Sequence, residues 1–173
     1  MHETLTIRRL TPENARELTA FYNGLSAASK RTFRPLGKQT TVDICARIGA
    51  ENTGDPNMDR NLPVKYDLIA VTEEGIVGWS FLWNLDAADP EEGPVFGLAV
   101  ADAYHGRGIG TALMRRVIEW ADTAGIPQVI LTVVQDNAVA EHLYEQQGFV
   151  RYGEFVSEDG LPYYRMRRTN RKS

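Results

Sequence analysis

The chain has 173 residues, 43% of them apolar, and a formal net charge of −4. That length and composition suit a packed globular chain and exclude wholesale disorder. The acidic balance argues against a chain built to wrap nucleic acid, and a single cysteine, Cys45, excludes an internal disulfide.

The start, Met1-His2-Glu3-Thr4-Leu5, carries no basic region followed by an apolar run, so no secretory signal is expected. No apolar run approaches membrane length, so no membrane partner is expected and a reducing cytoplasm is the expected setting. Leu5 to Leu10 alternates apolar and polar residues and predicts a half-buried strand. Thr11-Pro12-Glu13 is a helix start, a capping hydroxyl followed by proline, and Leu18, Phe21, Tyr22 and Leu25 continue at helical spacing. A helix over 12–24 follows. The stretch 26–37 is mixed in character. Residues 41–50 look helical and carry Cys45, which reads as a small core residue. Residues 52–62 are polar and turn-rich, the expected mobile loop.

From Tyr66 the pattern turns to strands. Residues 66–72 and 76–83 make a hairpin around Glu73-Glu74-Gly75. An acidic loop spans 84–94. Val95 to Val100 is continuously apolar and predicts a central strand buried on both faces. Leu113, Val117, Ile118 and Ala121 mark an amphipathic helix ending near Gly125. Residues 129–133 form a second buried strand, 137–147 a further helix, and 149–156 with 163–168 a terminal hairpin. No repeat, low-complexity tract or linker appears, so 1–173 reads as one domain.

The chemistry concentrates where the strand at 95–100 meets the next helix, in His105-Gly106-Arg107-Gly108-Ile109-Gly110. Alternating glycines let a chain turn sharply with its N–H groups facing one point. The helix that follows adds unpaired N–H groups and the positive end of its dipole. Together they make a phosphate site, with Arg107 as a charge at the rim. No Lys-Ser/Thr follows Gly110, so a mononucleotide P-loop is excluded. Thr111 stands where a dinucleotide fingerprint needs its last glycine. A glycine turn that merely connects strand to helix remains open on the turn alone.

The downstream sequence supplies the second half of a pattern. Leu131-Thr132-Val133 is followed by Asn137-Ala138-Val139-Ala140-Glu141-His142-Leu143-Tyr144-Glu145-Gln146-Gln147-Gly148-Phe149. The glycine turn, then Asn, Ala, Tyr and Gly-Phe in that order, resembles the GCN5-related N-acetyltransferase (GNAT) superfamily. The resemblance covers about residues 66–168. One letter departs from the pattern: His105 stands where the family has Gln or Arg.

The resemblance implies an α+β (mixed α/β) fold in one N-acetyltransferase domain. It implies a twisted, mostly antiparallel sheet of six to seven strands, with a splayed parallel pair at about 95–100 and 128–133 and about four flanking helices. It implies acetyl-CoA as acyl donor, no metal, and direct attack of an acceptor amine through a tetrahedral intermediate. The donor-binding set it implies is Leu98, Val100, His105, Gly106, Arg107, Gly108, Ile109, Gly110, Thr111, Asn137, Ala140 and Tyr144. Backbone groups of Leu98 and Val100 hold the pantetheine arm, and the Val100 amide polarises the thioester carbonyl. Asn137 bonds the donor and caps its helix, and Ala140 allows close approach. Tyr144 is the catalytic residue, a general acid for the leaving thiolate.

No general base is assigned: the strand offers Gly97-Leu98-Ala99, and Asp86, Asp89, Glu91 and Glu92 lie in the loop before it. Trp79, Phe81 and Trp83 share one strand face, as core or as an apolar wall of the acceptor pocket. The acceptor is unidentified, its elements expected at 24–62, 84–94 and 153–165. The acidic loop suggests a cationic acceptor; Arg31, Arg34 and Lys38 suggest an anionic one. A homodimer is expected by family resemblance. The competing readings are a non-catalytic acyl-CoA-binding regulatory module and a nucleotide-binding α/β protein.

Overall fold

A computed structural model describes residues 4–52 and 65–170. In chain order these form β1 (Thr6–Arg9), a one-turn 3-10 helix (Pro12–Asn14), α1 (Ala15–Asn23), α2 (Ala27–Thr32), α3 (Val42–Glu51), β2 (Lys65–Thr72), β3 (Gly75–Trp83) and β4 (Val95–Val100). A second 3-10 turn (Asp102–Tyr104), α4 (Ile109–Thr123), β5 (Gln128–Val134), α5 (Ala138–Gln146), β6 (Val150–Val156) and β7 (Pro162–Thr169) complete them. The strands make one seven-stranded mixed sheet in the order β1-β2-β3-β4-β5-β7-β6. Every neighbouring pair is antiparallel except β4 with β5. This is the expected α+β architecture with its parallel pair.

Local chemistry explains the helix starts. Asn14 Oδ1 accepts from both the backbone N–H (3.1 Å) and the hydroxyl (3.0 Å) of Thr11, fixing the entry to α1. Thr41 Oγ1 accepts the Ile44 N–H at 3.3 Å at the start of α3. There are five α-helices among the described residues where about four were expected; the additional one is α2. It buries no residue, so it leaves no apolar period to read. The turn-rich stretch at 52–62 lies, apart from Asn52, outside the described residues.

The sheet has two packed faces. On one, Leu113, Met114, Val117 and Trp120 of α4 meet Leu68, Leu82, Phe96, Leu131, Val133 and Met166. On the other, Leu18, Phe21 and Tyr22 of α1 and Cys45 and Ile48 of α3 meet Ile69, Trp79 and Phe81. Cys45 is a fully buried core residue, as expected. One expectation needs correction. β4 is not buried on both faces: only Phe96 is buried, and the other residues of the strand are partly open. The reason is its separation from β5, described below.

A carboxyl group lies inside the second face. Asp67 of β2 is fully buried, and its Oδ1 accepts from the indole Nε1 of Trp79 (2.8 Å) and of Trp83 (3.1 Å). Its Oδ2 has no partner among the described residues. Burial pushes this carboxyl up from 3.8 to about 7, against the pull of the two indoles and Lys65. The raised value makes Asp67 a pH-dependent liability. Below about pH 4 both folded and unfolded chains hold the proton. As pH rises from about 4 to about 7 the unfolded chain releases it first, so stability falls, and the loss is complete above about 7. At about 1.4 kcal/mol per pKa unit the loss approaches about 4 kcal/mol. Asp67→Asn keeps an acceptor for both indoles and carries no charge. Urea midpoints at pH 4.5 and pH 8 should therefore show the variant gaining on the parent as pH rises; an equal gap at both pH values would refute this account.

Candidate active site

The site begins where β4 and β5 part. Their one register pair is Val95 with Ile130, and the Ile130 N–H donates to the Pro94 carbonyl at 2.9 Å. Beyond it the strands share no further pair among the described residues. On the other side, β4 stays paired with β3 along its whole length. The Ala101 N–H donates to the Val77 carbonyl at 2.8 Å. Hydrogen-bonded and non-bonded pairs alternate in an antiparallel ladder, so Gly97 and Ala99 also aim their backbone groups at β3. Leu98 and Val100 must aim theirs the opposite way, into the gap. A cavity of about 870 Å³ opens there, lined by Leu98, Ala99 and Val100 on one strand and Thr132, Val133 and Val134 on the other.

The glycine turn closes one end of this cavity. Gly106 and Gly108 have φ of +76° and +80°, a conformation that side chains rarely adopt. At Gly110 a methyl would make ordinary contact with Leu98 Cδ2 at 3.5 Å and Val100 Cγ2 at 3.7 Å. The helix takes its first internal bond at Ala112 N–H to Gly108 O (3.1 Å), so the N–H groups of Ile109, Gly110 and Thr111 precede the ladder. Ile109 buries its side chain and offers backbone alone. The turn is braced from beneath. Tyr104 is buried, donates its hydroxyl to Glu74 Oε2 at 2.9 Å, and carries the Arg107 guanidinium 4.7 Å above its ring. Arg107 is the one member of the turn from His105 to Thr111 that does not line the cavity.

His105 has a structural task. Its Nε2 donates to the Val100 carbonyl at 2.8 Å, which places the proton on Nε2 and ties the turn to the end of β4. Of the two backbone groups Val100 presents to the gap, the carbonyl is thereby engaged, and the N–H remains as a donor.

α5 forms the opposite wall. Asn137 Oδ1 accepts the Ala140 N–H at 3.2 Å, capping the helix and leaving the Nδ2 hydrogens to point elsewhere. Asn137, Ala140 and Tyr144 all line the cavity, as their spacing of about one and two helical turns requires. The Tyr144 ring meets Phe96 and Phe149 edge-on, each at 6.0 Å between centroids. Its hydroxyl has no hydrogen-bond partner among the described residues, and burial alone pushes its pKa up to about 12. The structure thus brings every expected donor-side residue except the Arg107 side chain to one cavity.

The other expectations divide. None of Asp86, Asp89, Glu91 and Glu92 lines the cavity. Their loop sits at the closed end of the strand pair, where Pro94 and Pro90 carbonyls take bonds from Ile130 and Gln128. Trp79 and Phe81 are core residues, and Trp83 stacks on Phe81 at 4.2 Å. They reach the cavity indirectly: Phe33, which follows α2 and lines it, packs on Trp79 (5.7 Å) and Phe81 (6.0 Å). The stretch 24–62 was expected beside the acceptor but without a helix at 27–32, and α2 forms a wall of the cavity. Ser26, Ser29 and Thr32 line it, and Ser29 donates to Asp102 at 2.9 Å across its mouth. The hydroxyls of Ser26 and Ser29 hold the Asp102 carboxyl below the usual carboxylate range. The signal was present: Ser26 caps α2 by accepting the Ser29 N–H at 3.1 Å, a serine pair at capping spacing.

One position of β4 is closed to a side chain. Phe81, the register partner of Gly97, lies across it; a β-carbon at Gly97 would stand 2.2 Å from Phe81 Cζ. Any side chain at position 97 collides with that ring.

Comparison with known proteins gives a consistent picture. The acetyltransferase (GNAT) family model matches residues 43–149. The chain is 36% identical over 96 residues to the N-alpha-acetyltransferase RimI of Mycobacterium tuberculosis, covering 54% of this chain. It spans 59% of that protein's length, 38% of a Mycobacterium leprae relative and 25% of the mycothiol acetyltransferase of Rhodococcus erythropolis. A GNAT-family acetyltransferase from Streptococcus pneumoniae superimposes with a TM-score of 0.74 at 26% identity, over 96% of this chain and 99% of that one. The spermidine N-acetyltransferase of Vibrio cholerae, solved with CoA and spermine, shares the fold with a TM-score of 0.74 at 20% identity, over 97% and 96% of the two chains.

The Gly97–Phe81 contact is directly testable. Gly97→Ala should destabilise the protein by about 1–3 kcal/mol, the usual cost of overpacking a core. Adding Phe81→Leu should recover most of that loss. Additive losses in the double variant, measured by urea unfolding, would show that the two positions do not collide.

Proposed function

The chain belongs to the GNAT acetyltransferase family, and from that premise we propose that it moves an acetyl group from acetyl-CoA to the amine of an acceptor by direct attack. The observation that carries this reading is the strand gap with donors at both ends. Backbone N–H groups of the turn and of the start of α4 suit a pyrophosphate, and the backbone of Leu98 and Val100 suits an amide-bearing arm. We read the described residues as one N-acetyltransferase domain working in a reducing cytoplasm. Among them no helix is long and apolar enough to cross a membrane, and no cluster of three or more His, Cys, Asp or Glu side chains could hold a metal ion.

In this mechanism the pyrophosphate rests against Gly106 to Thr111, and the arm runs down the gap between β4 and β5. Asn137 Nδ2 donates to it, and Ala140 leaves it room. The acceptor nitrogen, as a free amine, attacks the thioester carbon. A C–N bond forms and the carbonyl oxygen becomes an oxyanion, which the Val100 N–H stabilises. The C–S bond then breaks, the sulfur leaves as thiolate, and Tyr144 donates to it. His105 contributes by holding the Val100 carbonyl, and with it the peptide plane shared with Ala101, in place. The proton from the nitrogen leaves by a route other than a side chain of β4, since Val95 to Val100 include no titratable residue.

The lack of a carboxylate on β4 also favours a second reading, a module that binds acyl-CoA without turning it over. Thiol release in a broad amine screen separates the two: release above the hydrolytic background with at least one amine marks an enzyme. Tight CoA binding without release from any amine marks the module.

Tyr144→Phe preserves the packing with Phe96 and Phe149 and removes the donor. It should lower kcat by about 10²-fold, the low end for general acids, while CoA affinity changes little. With its pKa pushed up to about 12, Tyr144 stays protonated through the working range and adds no alkaline limb to the rate profile below about pH 11. A variant as fast as the parent at every pH would remove Tyr144 from the mechanism.

A further inference from the structure

We propose that Phe33 sets the length of the acyl chain the site accepts: its ring closes the cavity just past the thioester, so that an acetyl group fits and a butyryl group does not. The inference rests on the acetyl-transfer reading above and names the residue that selects the donor of the same site.

Two points of that reading fix the line of the donor. The pyrophosphate lies against the turn from Gly106 to Thr111, and the thioester carbonyl meets the Val100 N–H. The acyl chain therefore continues away from the turn, down β4 toward Ala99 and Leu98. The cavity does not follow the gap to its closed end. Leu98, Ala99 and Val100 line it from β4 and Thr132, Val133 and Val134 from β5, whereas Gly97, Leu131 and the closing pair of Val95 with Ile130 do not. Two strand residues, about 7 Å, separate Val100 from the last lining residue of β4. A terminal carbon must stop about 3.5–4 Å short of the atoms that end the space. What remains holds about one or two bonds beyond the carbonyl carbon.

α2 lays Phe33 on this end. Ser29 donates to Asp102, beyond the end of β4, at 2.9 Å. Phe33, further along the chain, packs on Trp79 and Phe81, whose register partners on β4 are Ala99 and Gly97. The segment thus runs along β4 from the turn toward the middle of the strand, and it carries the ring past the level of Val100. Phe33 and Ala99 both pack on the cluster of Trp79 and Phe81, and both line the cavity. The wall beyond the thioester is therefore the Phe33 ring beside the Ala99 methyl.

The ring has no room to step aside. It stands edge-on to Trp79 at 5.7 Å and tilted against Phe81 at 6.0 Å and Tyr22 at 6.3 Å. All three are buried core residues. Trp79 is held by its bond to Asp67, and Phe81 by its place over Gly97. Close packing of this kind resists a change of rotamer. A longer acyl chain would have to displace the ring against that core. Phe33 itself is half-buried, and α2 buries no residue. A smaller side chain at position 33 therefore lengthens the cavity without emptying the core.

The test needs no acceptor. CoA, acetyl-CoA, propionyl-CoA and butyryl-CoA are titrated calorimetrically into the parent, Phe33→Ala and Phe33→Leu, with thermal melts to confirm folding. The parent should bind butyryl-CoA at least about tenfold more weakly than acetyl-CoA, the usual effect of one methylene against a closed wall. Phe33→Ala should bring the two to within about threefold, with Phe33→Leu in between. Where the amine screen yields a substrate, the kcat/KM ratio of butyryl-CoA to acetyl-CoA should shift the same way. A shifted binding ratio without thiol release from any amine supports the wall and removes only the catalytic reading. A parent that binds no CoA removes both. Should Phe33→Ala not fold, Phe33→Leu decides. A parent that binds butyryl-CoA as tightly as acetyl-CoA, a ratio unchanged in the folded variants, or an equal loss for CoA and every acyl-CoA overturns the proposal.

Discussion

The separation of β4 from β5 after a single pair is the constraint on which the rest of the site depends. A sheet normally closes its ladder, because unpaired backbone groups cost free energy when buried. Here β4 keeps a full ladder to β3, and the alternation of that ladder leaves the groups of Leu98 and Val100 facing the gap. The gap keeps β4 partly open and creates the cavity. It also explains why Val100 needs His105, which engages one of those groups from within the chain. The other groups remain as donors and acceptors in fixed directions, which is what an extended, amide-bearing ligand requires.

The same sheet is organised differently across its width. Asp67, Phe81 and Gly97 are register partners in a row across β2, β3 and β4. Phe81 leans over Gly97, and Asp67 accepts from the tryptophans on either side of Phe81. The row thus keeps one aromatic ring above a strand position that cannot carry a side chain, and holds its neighbours with a buried carboxyl. A buried acid with an unpartnered oxygen is expensive in stability. Its return is orientation: both indoles are fixed, and the aromatic tier that supports Phe33 at the cavity wall is rigid. The raised pKa of Asp67 is the mark of that expense.

Much of this was legible before any coordinates. Strand alternation, capping residues and the 3.6-residue period located all seven strands and four of the five α-helices, because each carries an alternating or periodic apolar pattern. α2 escaped because Ala27-Ala28-Ser29-Lys30-Arg31-Thr32 buries nothing; only its Ser26 cap announces it. β4 misled in the opposite way. A run of apolar residues reads as doubly buried, and sequence does not distinguish a strand covered by protein from one that opens on a cavity. Asp67 could not be recognised as buried, since its partners Trp79 and Trp83 lie on another strand. His105 was the letter out of pattern, and its bond to Val100 depends on a turn geometry that no spacing rule contains.

The two sides of the cavity differ in how legible they are, and the difference has one physical origin. The turn side of the cavity presents backbone N–H groups, and what the sequence must supply is permission for a shape: glycine at Gly106 and Gly108, a small residue at Ala140, a cap at Asn137. Such requirements leave short, spaced signatures. The side of the cavity away from the turn is built from side chains of α2, β4 and β5, brought together only by strand order and by packing. Insertion of β7 between β5 and β6 shows the same dependence on topology. It sets Arg165 directly beside Thr132, where consecutive strand order would have placed β6 instead. Arg165 and Thr132 are far apart in the chain and share no motif, so their meeting is a property of topology. Specificity that depends on such meetings is invisible to motif reading, while the donor signature stays readable.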